Sequence, residues 1–206
     1  MKLIKMSNII LIIITSIISL FYVVNDLMNN NIYDALIAFS IVPVMLLPYI
    51  IRKIFKVKIN ETIIFTYLIF IFFGHFLGSI LNWYNTIEHY DKITHLISGI
   101  MTSFLALIIL ISFKSYNSKK LFNILFIIVF SLAIASLWEM FEFTFDKLFS
   151  KDAQHVITTG VDDTMLDIVM AFLGTIIFSI IYFVEEKTNY KGIIKAFIKE
   201  LNDDGK

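Results

Sequence analysis

The sequence predicts an all-α protein, a polytopic membrane helix bundle of about six transmembrane helices. Of its 206 residues, 58% are hydrophobic and 17% are charged. The mean hydropathy is +0.83, which is too apolar for an ordinary soluble domain. The apolar runs are continuous rather than alternating, which favours helices over the strands of a membrane barrel.

Each predicted span is long enough for the hydrocarbon core of a bilayer, which needs about 20 apolar residues. The first span lacks a small-residue cleavage site before Asp26, so we interpret it as an uncleaved helix and not as a signal peptide. Together the spans predict a single integral membrane domain over residues 1–187. Their predicted limits are residues 7–24, 33–51, 62–81, 93–113, 121–143 and 165–184.

The distribution of Lys and Arg predicts that both termini are cytoplasmic. Of the 17 basic residues, 14 lie in the N-terminal segment, the second and fourth loops and the C-terminal tail. Basic loops tend to stay on the cytoplasmic side of a membrane. The other loops hold Lys92, Lys147 and Lys151. We therefore predict a multi-pass protein of the cell membrane with an N-in, C-in topology.

Residues 188–206 are predicted to form a cytoplasmic basic amphipathic tail with an interfacial helix. Basic residues recur every fourth position at Lys191, Lys195 and Lys199. Such a helix can lie on an anionic membrane surface, and a solvated helix fits the same pattern. The apolar face is predicted to hold Ile193, Ile194, Phe197, Ile198 and Leu201.

Ionisable residues gather at the predicted extracytoplasmic ends of spans three to six. Residues three or four positions apart share one face of a helix. An ionisable side chain deep in a bilayer costs about 2.5–3.5 kcal/mol on insertion scales, so we expect the groups to share protons, water or a cation. The pairs are Asp91 with His95, Glu139 with Glu142, and Asp163 with Asp167, and His75 lies deeper in span three.

Carboxylates and imidazoles without cysteine are typical ligands for Zn, Mn, Fe or Mg, and the chain has no cysteine. A divalent metal is therefore the predicted cofactor. Glu139 or Glu142 is the predicted catalytic base. The predicted metal ligands are His75, Asp91, His95, Asp163 and Asp167.

Each group also has a simpler interpretation. His75 lies in the small-residue segment GHFLG, where it could serve as an interhelix contact. Asp91 and Asp163 could stabilise the N-termini of their helices. Glu139 and Glu142 are not explained in this way, because acids at the C-terminus of a helix oppose its dipole.

Three motifs carry a resemblance to a known family. They are YDKITHLISG, WEMFEF and TTGVDDTMLDIVMAFLG, and they resemble the YjdF/YoaT-like family of bacterial inner-membrane proteins over roughly residues 74–176. The chain is more distantly similar to VanZ-like membrane proteins. It departs from that second pattern at Glu142, where Gln is expected, and it lacks an arginine before the last Asp. The resemblance implies a membrane fold and no reaction.

Three functions remain open from the sequence. The first is a metal-dependent enzyme that acts on a lipid or envelope-linked substrate, with membrane lipids as its surroundings. The second is a non-catalytic membrane module with a structural polar network. The third is a proton- or ion-coupled transporter. This function is disfavoured because the inner halves of the spans carry few polar residues. The net charge of +0 gives no indication of a nucleic-acid partner.

Overall fold

The computed structural model describes residues 2–56, 59–116, 119–188, 190 and 192–203, and within these ranges it is all-helical with no strand. Lys58, Lys191 and Lys206, which enter the charge and tail predictions, lie outside the described residues. The helices are α1 (Lys2–Met28), α2 (Ile32–Phe55), α3 (Glu61–Ile71), α4 (Trp83–Thr86), α5 (Tyr90–Ser112), α6 (Lys120–Phe149), α7 (Val156–Thr159), α8 (Asp162–Lys187) and α9 (Ile193–Asp203).

Six helices in the described ranges are long and apolar enough to cross a membrane, which confirms the predicted fold class. They are α1, α2, α5, α6, α8 and a third span over Glu61–Ile80. Most ends extend beyond the predicted limits because a helix continues past the first charged side chains at a membrane edge, whereas the third and fourth spans end one residue early, at Ile80 and Ser112. The orientation of the termini stays a prediction.

The third span changes its winding partway along its length. It begins as α3, after Asn60, whose side chain accepts a hydrogen bond from the backbone N–H of Ile63. It continues over Phe72–Ile80 as a π-helical segment. Such wide turns are rare and are often found at functional positions. A Cβ atom on Gly78 would lie 2.4 Å from Cε2 of Tyr84, so only glycine allows this aromatic ring to pack against the segment.

The described chain forms two compact units, one up to Tyr90 and one from Asp91 onward. In the first unit, α1 packs against α2 and α3. Its core includes Ile41, Met45, Ile64 and Leu68, all fully buried. Lipid tails are as apolar as these side chains, so the helices of this unit are held by close van der Waals packing and not by transfer of the side chains out of water.

In the second unit, α5 and α8 approach each other through their backbones. A Cβ atom on Gly99 would lie 1.9 Å from the carbonyl oxygen of Ala171, and one on Gly174 would lie 2.0 Å from that of Leu96. Small residues at helix contacts permit this approach in membrane proteins. The two helices are thus in register around Gly99 and Ala171, one turn below His95 and Asp167.

The tail helix α9 packs onto the core of the second unit. Ile194 and Ile198 are buried in a cluster with Leu107 and Phe178. The buried carboxylate of Glu185 accepts hydrogen bonds from the backbone N–H groups of Ile194 and Lys195, at 3.4 and 2.8 Å. The apolar face that the sequence predicts is therefore largely covered by protein. Its placement at a membrane interface stays a prediction.

Helix α6 is longer than predicted, and this corrects one argument from the sequence. It ends at Phe149, and Ser150 follows in the left-handed conformation with φ of 54°. Glu139 and Glu142 therefore lie inside the helix. The helix dipole acts mainly within the last turn, so the dipole argument about these two acids was wrong. Their burial has to be explained by their neighbours.

Candidate functional site

The side chain of Lys92 joins three aspartates from two helices. Its Nζ donates hydrogen bonds to Asp163 Oδ1 at 2.5 Å, to Asp167 Oδ1 at 2.6 Å and to Asp91 Oδ2 at 3.0 Å. Buried charges are stable in proteins when they are paired and hydrogen-bonded. Lys92 supplies this pairing where α5 and α8 begin. We call Asp91, Lys92, His95, Asp163 and Asp167 the Asp/His/Lys cluster.

The helical repeat explains how the cluster assembles. Asp91 and His95 are four residues apart on α5, and Asp163 and Asp167 are four apart on α8, so each pair occupies one face. The close backbone contact at Gly99 holds these faces together. The two predicted pairs therefore meet each other.

His95 links the two aspartate pairs. Its Nε2 lies 3.4 Å from Asp91 Oδ1 and 3.8 Å from Asp167 Oδ1. Single ligand atoms of Asp91, His95 and Asp167 all lie within 4.8 Å of one another. This arrangement of two carboxylates and one imidazole could hold a divalent cation. Asp163, the fourth predicted ligand in this unit, bonds to Lys92 instead.

Glu139 is buried beside the loop that follows α6. Gln154 Nε2 donates to the backbone oxygen of Glu139 at 3.1 Å and to its Oε2 at 3.4 Å. Asp146 holds the loop, because its carboxylate accepts hydrogen bonds from the backbone N–H groups of Ala153 and Gln154. Within the described residues, Glu139 Oε1 is buried and has no hydrogen-bond partner. That oxygen is available to accept a proton or a hydrogen bond.

Glu142 and Glu139 both lie within electrostatic range of His95. Glu142 Oε1 accepts a hydrogen bond from Trp138 Nε1 at 2.9 Å. The indole of Trp138 thus orients this acid. The acids of α6 therefore belong to the same electrostatic environment as the Asp/His/Lys cluster.

A groove of about 500 Å³ lies beside Glu139. It is bounded by α6, α7, the start of α8 and the connecting loop. Its walls are mainly apolar, and Glu139 and Gln154 supply polar groups. An apolar groove with a few polar groups is typical of a site for a small or amphiphilic molecule. The lining residues are Glu139, Met140, Phe143, Gln154, Val156, Gly160, Val161 and Thr164.

His75, the remaining predicted ligand, lies in the first unit within the π-helical segment. Its Nε2 is 2.8 Å from the hydroxyl oxygen of Ser40 on α2. Ser40 also donates a hydrogen bond to the carbonyl of Ile37. These contacts fit the simpler interpretation of His75 as a link between helices. A role in metal binding stays a prediction.

Two residues of the site were not assigned a role from the sequence. Lys92 was recognised as a nearby cation, but its position next to Asp91 gives no indication that it reaches α8. Gln154 lies in a loop without periodicity. A long flexible side chain and a loop fold are both set by tertiary contacts, so no spacing rule identifies them.

Comparison with known proteins gives relatives but no fold template. The chain is 28% identical over 127 residues to an uncharacterized protein of Thermotoga maritima. The match covers 62% of this chain and 65% of that protein, so the chain spans slightly less than two thirds of its relative. No solved structure matches the chain.

The broadest match is to a family of membrane proteins. The family described as "Predicted membrane protein (DUF2238)" matches residues 7–187. The match covers five spans in full, most of the first span and every residue of the Asp/His/Lys cluster. This agrees with six candidate transmembrane helices in the structure. The chain belongs to the DUF2238 family of predicted membrane proteins.

Proposed function

We propose that this integral membrane protein is a metal-dependent enzyme that acts on a lipid or envelope-linked substrate. The observation that carries the proposal is the grouping of ligand atoms from Asp91, His95 and Asp167 within 4.8 Å of one another. Ligands that surround one divalent ion at about 2.0–2.2 Å have separations of this order. Such an ion would polarise a carbonyl or phosphoryl oxygen or activate a water molecule.

The balance of charge supports a cation at this site. The three aspartates of the cluster share Lys92 as a fixed positive partner, while His95 is positive only when it is protonated. Glu139 and Glu142 add two further acids, whose hydrogen-bond donors are the neutral side chains of Gln154 and Trp138. A low-dielectric site favours neutralisation of such a surplus by a cation or by protons.

Glu139 is the proposed general base, with Glu142 as a second candidate. Its Oε1 lacks a donor among the described residues, and its side chain lines the groove. A base must be within hydrogen-bond reach of the proton that it removes. The apolar walls of the groove suit the chain of a lipid, and the acid would then face the polar part of the molecule.

A structural polar network is the second candidate function. The three hydrogen bonds of Lys92 favour it, because the ammonium group already occupies the space among the aspartates. In this case the cluster joins α5 to α8 and binds no metal. The two candidates differ in one measurable property, the metal content of the purified protein.

Metal analysis of purified protein tests the proposal. We expect about one divalent ion per chain in the wild type, as in other single metal sites, and loss of the ion in His95→Ala and Asp167→Asn. Glu139→Gln should retain it. Asp162→Asn is the matched control, because Asp162 is an exposed acid at the start of the same helix. Wild-type protein without stoichiometric metal after incubation with Zn, Mn, Fe and Mg would leave the structural network as the function.

The finer assignments are also proposals. We propose from the three motifs that the chain is similar to the bacterial YjdF/YoaT-like proteins within its family, and more distantly to VanZ-like proteins. From the distribution of basic residues we propose that both termini are cytoplasmic. The Asp/His/Lys cluster then opens toward the cell envelope, where a lipid-linked substrate would be reached from the outer leaflet.

A further inference from the structure

Buried polar groups continue through the second unit beyond the Asp/His/Lys cluster. The sequence disfavours transport because the inner halves of the spans carry few ionisable residues. Hydroxyl, phenol and amide groups are nevertheless buried along these halves. The members of this series that are almost fully enclosed are Asn123, Ser131, Thr175, Ser179 and Tyr182.

Three hydroxyl groups from three helices meet at the centre of the unit. Thr175 on α8 donates a hydrogen bond to Ser131 Oγ on α6 at 2.7 Å. Ser131 Oγ is also hydrogen-bonded to Thr102 Oγ1 on α5. Thr175 and Ser131 are 0% and 1% exposed. This central hydroxyl group, Thr102, Ser131 and Thr175, is therefore connected, and two of its three members are enclosed by protein.

Hydroxyl groups also lead from the central group toward His95. Ser98 donates a hydrogen bond to the carbonyl oxygen of His95 at 2.7 Å. Thr102 donates to the carbonyl oxygen of Ser98 at 2.9 Å. A hydroxyl therefore occurs at each turn of α5 between His95 and the central group. Each of the two donates to a backbone carbonyl oxygen, so a relay between them requires a water molecule.

A second polar group lies toward the other end of α8. Asn123 Nδ2 donates to the hydroxyl oxygen of Tyr182 at 2.9 Å, and the hydroxyls of Tyr182 and Tyr116 are 3.0 Å apart. The side chain of Glu186 is a further hydrogen-bond partner of Tyr116. Tyr116 lies outside the membrane spans, so this group reaches from the core to the end of the helices.

Ser179 lies between the two groups, and no contact in the described structure explains why its hydroxyl is buried. It follows Thr175 by four residues and precedes Tyr182 by three, which corresponds to rises of about 6 and 4.5 Å along α8. Its Oγ is buried and has no hydrogen-bond partner among the described residues. A buried hydroxyl without a partner costs about 1–3 kcal/mol. A water molecule between successive hydroxyls would satisfy it.

We infer that these groups, joined by water molecules where successive hydroxyls are not in contact, form a proton path through the second unit, between the start of α5 and Tyr116. Each hydroxyl or water oxygen accepts a proton from one side and releases its own proton to the other. Rotation of the hydroxyl groups then restores the starting arrangement. No covalent bond changes overall, and one proton enters for each proton that leaves. Asn123 orients Tyr182 for this exchange.

Interhelical hydrogen bonding alone explains the central group, since Ser and Thr commonly join membrane helices. It does not explain Ser179, whose hydroxyl has no hydrogen-bond partner within the part of the chain that the structure describes. A purely structural role predicts that Ser179→Ala is neutral or stabilising and has no other effect. The proton path predicts a neutral effect on folding together with a loss of proton flux.

Proton flux into vesicles tests the path. The full-length protein is reconstituted into phospholipid vesicles that contain a pH-sensitive dye, and a potassium diffusion potential drives protons inward. We expect wild-type vesicles to acidify faster than protein-free vesicles. Ser179→Ala and Thr175→Val should reduce the protein-dependent rate about tenfold or more, because removal of one transfer group raises the barrier.

The matched control is Thr144→Val. Thr144 is an exposed α6 residue whose hydroxyl bonds to the carbonyl of Met140 in its own helix, so its removal should leave the flux unchanged.

Thermal unfolding checks that each variant is folded, and Thr175→Ser should restore the flux if Thr175→Val is unstable. A wild-type rate equal to that of protein-free vesicles, or a folded Ser179→Ala with the wild-type rate, overturns the path. Neither outcome depends on whether the cluster binds a metal.

Discussion

Lys92 Nζ lies 2.6 Å from Asp167 Oδ1, and this contact joins the N-terminal parts of α5 and α8. The Asp167 side chain is 4% exposed and that of Lys92 is 20% exposed. Water therefore screens the pair less than it screens a surface ion pair. Removal of the ammonium would leave three acids close together with His95 as their remaining partner in the cluster.

Replacement of Lys92 by Met should destabilise the protein. The free energy of unfolding should fall by about 3 kcal/mol, because a buried acid left without its partner is costly. The measurement is denaturant unfolding in detergent micelles at neutral pH. Lys147→Met is the control: Lys147 is exposed and lies over the ring of Phe143, and its loss should cost less than about 1 kcal/mol. Equal effects of the two substitutions would contradict a central role of Lys92.

Replacement of Gly99 by Ala should separate α5 from α8. The new Cβ atom would lie 1.9 Å from the carbonyl oxygen of Ala171, and neither backbone can yield without moving its helix. We expect a loss of about 1–3 kcal/mol in the free energy of unfolding. Ser98→Ala, at a half-buried neighbouring position, should have a smaller effect. An unchanged melting temperature for Gly99→Ala would show that the helices are not in close contact at this position.

The hydroxyl of Tyr116 should make stability depend on pH in the alkaline range. Burial, followed by its contacts with Tyr182 and Glu186, raises the pKa of Tyr116 above the ordinary value of 10.0. The folded protein therefore keeps a proton that the unfolded chain releases. This contribution is fully present below pH 10.0 and is lost as the pH rises above it.

Tyr116→Phe should remove part of this dependence. Unfolding free energies measured between about pH 8 and pH 11 should fall less steeply in the variant than in the wild type. The variant should also be less stable at neutral pH by about 1 kcal/mol, because one hydrogen bond is lost. A control substitution of the exposed Tyr190 by Phe should leave the slope unchanged. Parallel curves for wild type and Tyr116→Phe would exclude Tyr116 as the source.

Reporter fusions should place both termini in the cytoplasm. A fusion after Lys206 and one at Asn117, two positions outside the described residues, should give cytoplasmic signals because basic residues flank them. A fusion at Glu88, in the exposed loop before α5, should give an extracytoplasmic signal. Reversal of all three signals would move the Asp/His/Lys cluster to the cytoplasmic side.

The spans and the two aspartate pairs could be predicted because each depends on local sequence. Continuous apolar runs specify a membrane helix, and a spacing of four specifies a shared face. The sequence supports the pairing of Asp91 with His95 for this reason. The length of α6 was missed because the predicted limit stopped at Phe143, while polar residues continue the helix to Phe149.

The contacts between helices could not be predicted in the same way. Gly99 and Gly174 mark positions of close approach, but a glycine does not identify the helix that approaches. The π-helical segment depends on a choice between backbone hydrogen bonds, which hydropathy does not record. The buried hydroxyls of Ser131 and Thr175 were overlooked because short polar side chains barely change the hydropathy of an apolar run.

The docking of α9 has a consequence for how the chain is made. Insertion of a membrane helix depends on its own hydropathy, so the six spans can enter the bilayer before α9 docks. The second unit is still incomplete at that stage, because Ile194 and Ile198 belong to its core and the Glu185 carboxylate accepts hydrogen bonds from backbone N–H groups of α9. We therefore expect biogenesis in two stages, integration of the spans and later docking of α9. A premature stop codon just after the last span would yield a fully inserted but unfinished protein, suited to removal by membrane quality control.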